Sequence, residues 1–145
     1  MEIELRQATP ADEQWLFGLH EAAHRHLVES AYGPWDAEEQ RELFRPLVDD
    51  HDVIVVSADH RDAGAVYLGE RDGDTWLELI EVEPECQGSG VGTAALRWVV
   101  GESRQRQRGT LLQVHRMNER ARRLYEREGF TSYGVTATHH LLRHG

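Results

Sequence analysis

The chain has 145 residues and not one lysine; all 16 of its basic residues are arginines. That excludes a Schiff-base lysine and the lysine of a phosphate-binding P-loop. It also leaves no side-chain amine on the chain itself. Cysteine is nearly as scarce. Cys86 stands alone, so neither an internal disulfide nor a cysteine-rich metal site can form. No apolar run reaches the length of a membrane span, and no transmembrane helix is expected. The opening MEIELRQ has no basic stretch leading into an apolar one, so no signal peptide is expected. These absences point to a cytoplasmic domain with one core.

What is present is apolar enough to fold and polar enough to stay dissolved. Hydrophobic residues make up 39% of the chain, and the mean hydropathy is -0.62. The formal net charge is -10, which argues against nucleic acid as a partner. The charge is uneven. Residues 97–128 carry nine arginines against four glutamates, whereas the remainder carries seven arginines against 22 acids. One segment suits an anionic ligand and the rest favours cations.

Periodicity gives the elements. IELRQAT (3–9) alternates as a half-buried strand does. Thr9, Pro10 and Asp12 then start a helix that should run to about Val28. Its predicted buried stripe is Trp15, Leu16, Leu19, Ala22, Ala23 and Leu27. Asp36 caps a second helix over 37–48. A strand at 51–58 follows, then a hairpin turning at Asp72-Gly73-Asp74. A helix from Gly90 to Gln107, a strand at 110–116, a short helix at 119–128 behind Asn118 and two closing strands complete the chain. The order β-α-α-β-β-β-α-β-α-β-β is that of one mixed α/β domain.

Two stretches invite a chemical reading. Residues 20–24 read HEAAH, which matches the H-E-x-x-H pattern of zinc hydrolases, with His20 and His24 as ligands and Glu21 as base. A catalytic zinc needs a third protein ligand, and no H-x-x-G-x-x-H continuation follows. Ala22 and Ala23 belong to the buried stripe, and His20 and His24 are read as part of a polar helix face beside a cleft. No metal is expected from this match.

The second stretch is IEVEPECQGSGVGTAAL (80–96). A strand stops at Pro84, and Gln87-Gly88-Ser89-Gly90-Val91-Gly92 opens into a helix at Thr93. Glycines let backbone amides turn toward one point, and the helix end adds partial positive charge, so the loop suits a pyrophosphate. It is not the dinucleotide fingerprint G-x-G-x-x-G. Further on, LLQVHRMNERARRLYEREGF (111–130) supplies Asn118, Ala121, Leu124, Tyr125, Gly129 and Phe130. With Val82, Pro84, Gln87, Gly90 and Gly92, this pair of motifs resembles the GNAT superfamily of N-acetyltransferases, which use acetyl-CoA. The opening I-E-L-R-Q-A-T-P-A-D fits the same resemblance, which therefore covers the whole chain. Cys86 departs from it, standing where an aromatic residue would be usual.

The resemblance implies a fold: a mostly antiparallel sheet with splayed central strands, flanked by helices. It also implies a site. The amides of Gln87, Gly88, Ser89, Gly90, Val91 and Gly92, with Thr93, would hold the pyrophosphate of acetyl-CoA. The pantetheine arm would pair with the backbone near Val82 and approach Asn118. A backbone N–H there would act as a one-donor oxyanion hole. Tyr125 would give the leaving thiolate its proton. A protonated amine cannot attack a carbonyl, so a base is needed, and Glu81 and Glu78 are the candidates. Strand alternation puts Glu78 with Ile80 and Val82, and Glu81 with Glu83 on the other face. The acceptor would be a small cationic amine or a peptide N-terminus, near Tyr32, Trp35, Tyr133 and His139. Arg97, Arg122 and Arg123 could meet the CoA phosphates. A homodimer is consistent with the resemblance. Two rival readings stand beside this one: a protein of this fold that binds acyl-CoA without turnover, and the zinc hydrolase built on HEAAH.

Overall fold

Alternation decides which side of the sheet each buried residue serves. The computed structural model describes residues 1–145. One sheet contains β1 (Ile3–Gln7), β2 (Asp52–Ala58), β3 (Arg61–Arg71), β4 (Asp74–Val82), β5 (Thr110–His115), β6 (Thr131–Val135) and β7 (His139–His144). Their spatial order is β1-β2-β3-β4-β5-β7-β6, and only β4 and β5 run parallel. On β2, Ile54 and Val56 join a core with α3 (Val91–Gln105) and α4 (Glu119–Arg127). Val53 and Val55 join a second core with α1 (Glu13–Tyr32) and α2 (Ala37–Asp49). A strand buried on both faces needs this continuous apolar run. The element order and the sheet agree with the expected fold class. No helix is long and apolar enough to cross a membrane.

Local chemistry fixes the helix starts. The Asp12 carboxylate accepts from the Thr9 amide at 2.8 Å and also accepts two hydrogen bonds from Arg6, at 2.8 and 2.9 Å. The Asp36 carboxylate accepts from the amides of Glu38 and Glu39, and Asn118 accepts from the amide of Ala121. These caps stand where the sequence placed them.

Three expectations fail, each for a local reason. Helix α1 extends to Tyr32 rather than Val28, because Gly33 (φ +107°) is its first terminator. Its buried face is also rotated: Ala22 is exposed, while Phe17 and His20 are buried. The third concerns β4. Tyr67 pairs with Leu79 and Leu68 pairs with Leu77, so Glu78 has no partner across the pair. This bulge resets the alternation. Glu78 therefore leaves the side of Ile80 and Val82, and its carboxylate accepts a hydrogen bond from Trp76 Nε1.

Candidate active site

The bulge also marks where the sheet opens. β4 and β5 pair only over Thr75–Leu77 and Thr110–Leu112. Beyond that point the strands part. The Glu83 amide donates to Ala63 on β3 at 2.7 Å. Alternation along β4 therefore turns the main chain of Val82 away from β3 and into the gap. Gly64 lets β3 lie close here, since a Cβ at Gly64 would sit 2.6 Å from the Glu81 carbonyl oxygen.

The gap is a cleft of about 640 Å³. Val82, Gln87, Gly88, Gly90, Gly92 and Thr93 line one wall. Asn118, Leu124 and Tyr125 line the wall built by α4, and Glu81 and His24 lie at the inner end. Gly88 (φ +80°) and Gly90 (φ +96°) hold left-handed backbone that side chains rarely adopt. Gly90 is also the N-cap of α3, so the loop delivers its amides at a positive helix end. Most of the expected cofactor residues thus converge. Two side chains do not: Val91 is buried in the core, and the Ser89 hydroxyl turns back to the Cys86 carbonyl. Each can offer the cleft only its backbone. A second cleft of about 660 Å³, lined by Arg6, His51 and Arg108 among others, has no comparable loop.

Tyr125 is buried against Phe130, with ring centroids 5.8 Å apart, yet it reaches the cleft. Burial pushes its phenol well above the ordinary tyrosine range, so the proton stays on. Of the arginines expected near phosphates, Arg97 is held by Glu128 at 2.6 Å and Arg122 by Glu126 at 2.9 Å. Arg123 lines the cleft while pairing with Glu119 at 3.3 Å. Arg120 and Arg127 also line it, and the arginine-rich sequence of α4 did not single them out.

The two glutamates named from the sequence part company. Glu78 lies off the cleft, 3.8 Å from His51. Glu81 is fully buried and faces α1, where its Oε2 lies 2.6 Å from His20 Nδ1 and 2.6 Å from His24 Nε2. Burial works to raise its pKa, but the two imidazoles outweigh it and hold the carboxyl below its ordinary value. HEAAH therefore meets Glu81, with His24 lining the cleft. Glu21 turns outward beside Arg25, and not into the cleft that Glu81 and His24 line.

Beyond the cleft, Tyr32 and His139 meet through a residue that sequence reasoning passed over. The Met117 amide donates to His115 Nδ1 at 3.1 Å, so His115 Nε2 carries the proton and donates to Tyr32 Oη at 3.0 Å. His115 and His139 are cross-strand partners with ring centroids 5.1 Å apart. Burial and His115 lower the pKa of His139, against an opposing pull from Glu78. Only the pairing of β5 with β7 reveals this cluster.

The family model of the acetyltransferase (GNAT) family matches residues 20–130. The chain belongs to that family and is an acetyl-CoA-dependent N-acetyltransferase. Among curated proteins no sequence relative matches it. Solved structures share its fold at low identity. The PaiA N-acetyltransferase from Thermoplasma acidophilum, in complex with coenzyme A, superposes with a TM-score of 0.79 at 18% identity, covering 99% of this chain and 98% of that one. The ribosomal-protein-S18-alanine N-acetyltransferase from Escherichia coli gives 0.73 at 18%, covering 98% and 92%. YncA from Salmonella typhimurium, with its cofactor acetyl-CoA, gives 0.64 at 19%, covering 98% and 92%.

Proposed function

We propose that the chain acetylates a primary amine, a cationic small molecule, by direct attack on the thioester of acetyl-CoA. The observation that carries this reading is the position of Tyr125 in the same cleft as the main chain of Val82, which β5 leaves uncovered. The pantetheine arm would add to β4 as a short strand. The Val82 amide would then polarise the thioester carbonyl. The amine nitrogen attacks the carbonyl carbon and a tetrahedral intermediate forms. As the C–S bond breaks, Tyr125 protonates the sulfur, and the proton still carried by the attacking nitrogen returns to Tyr125 so that the neutral amide and the free thiol leave.

The acceptor arrives as an ammonium ion and must lose a proton first. Glu81 is engaged by two imidazoles, so we assign that step to Glu78, acting through water. The acidic majority of the chain and the half-open cluster of Tyr32, His115 and His139 favour a cationic acceptor. Calorimetry with acetyl-CoA, followed by CoA release with polyamines, amino-acid amides and peptide N-termini, tests the reading. Turnover with the small amines supports it. Turnover with peptides alone overturns the acceptor class, and tight binding without any turnover marks a binding protein.

A further inference from the structure

Three observations meet at the inner end of the cleft. His20 and His24 lie one turn apart on α1, with rings 4.7 Å apart, and both reach a single oxygen of Glu81 on β4. Only His20 makes a hydrogen bond there; His24 Nε2 approaches off the direction that a hydrogen bond requires. Three buried polar atoms in this small region have no partner: His24 Nε2, Glu81 Oε1 and the Tyr67 hydroxyl. Buried polar groups are rarely left so, and a carboxylate with no exposed side-chain surface needs compensating charge.

We infer that His20, His24 and Glu81 form a binding site for a divalent transition-metal ion, zinc by the chemistry of its donors. The three ligand atoms lie within 4.8 Å of one another. Tetrahedral zinc with bonds of about 2.0–2.1 Å sets its ligand atoms about 3.3 Å apart. Each 2.6 Å contact thus has to widen by less than an ångström. Two imidazoles and one carboxylate are the donors of many open zinc sites. The fourth position faces the cleft, because His24 and Glu81 both line it. HEAAH thus supplies two ligands, and the third comes from a strand some sixty residues away. Glu21 points elsewhere, so the site lacks the base of a zinc hydrolase.

The site stands apart from the acetyl-transfer reading, which the acetyl-CoA titration reports on its own. Protein stripped with a chelator is titrated with Zn²⁺ by calorimetry and with Co²⁺ by visible absorption. One ion per chain is expected, with strong cobalt bands from a four-coordinate centre. His24→Ala and Glu81→Gln should each weaken zinc by about 100-fold or more, at least the loss of an outer-shell partner. His60→Ala, which removes the exposed cluster with Glu2 and Glu4, should change nothing. A single cooperative thermal unfolding transition followed by circular dichroism shows that each variant is folded, and His24→Ala alone decides the matter if Glu81→Gln is not. No saturable binding up to millimolar zinc overturns the inference, as does binding that His24→Ala leaves intact.

Discussion

The α3/α4 side of the sheet and the α1/α2 side do different work with different materials. The first is made of short sequence segments that act where they stand. A strand stop, a glycine loop and a helix start follow one another within residues 80–96, and what they offer the cleft is backbone amides. The second is assembled from residues far apart in the chain. Glu81 meets His20 and His24, and Tyr32 meets His115 and His139. The first is the side to which we assign acetyl-CoA, and the second the side to which we assign the acceptor. Breaking one side without the other is therefore the sharpest test of the division.

The largest effect should come from Tyr125→Phe. It removes one hydroxyl and keeps the ring packed on Phe130. General acid catalysis is worth about 10²–10⁴-fold, so kcat should fall by that range while the acetyl-CoA Kd stays put. Because burial keeps the phenol protonated, wild-type kcat should not decline through loss of this proton below about pH 10. Equal kcat values for the two proteins would return this side to a binding role.

Gly90→Val attacks the same side through its backbone. Gly90 holds φ +96° at the start of α3, where a β-branched residue is strained by about 1–3 kcal/mol. Relaxing that strain turns the loop amides aside. Acetyl-CoA Kd should rise about 10–100-fold, and zinc affinity should not move. A matching loss of zinc would show that the two sides are one unit.

Glu78→Gln belongs to the other side. Its carboxylate lies off the cofactor cleft, so acetyl-CoA Kd should hold while kcat/KM for the amine falls about 10–100-fold. An unchanged kcat/KM would remove Glu78 from proton transfer.

What the sequence made legible follows the same division. The convergence of the glycine loop, Asn118 and Tyr125 on one cleft was readable because each position depends on neighbours a few residues away. The order of strands and helices was readable for the same reason. The bulge at Glu78 was not, since it exists only in the pairing of β3 with β4. It reversed the predicted face of that glutamate and lies where β4 and β5 part. The rotated face of α1 escaped as well: two histidines count as polar in a periodicity argument, and only Glu81 gives them cause to turn inward. HEAAH lacked a third ligand in sequence and has one in space.

The smallest effect concerns how the chain enters the α1 side. Arg6 hydrogen-bonds the Asp12 carboxylate, and the Thr9 amide adds a further bond. Together they hold Asp12 well below the ordinary carboxylate range. A carboxyl with a depressed folded pKa stabilises the fold above its unfolded value, near about pH 4. That contribution shrinks as pH falls toward the folded value. Asp12→Asn should therefore lower Tm by a few degrees at neutral pH, and the gap to wild type should narrow steadily below about pH 4. The pair is partly exposed, so salt should narrow it too. Acetyl-CoA Kd should not change, because Asp12 lies outside the cleft. A Tm gap that stayed constant into acid would mean that the cap acts through hydrogen bonding alone, with no share from the Asp12 charge.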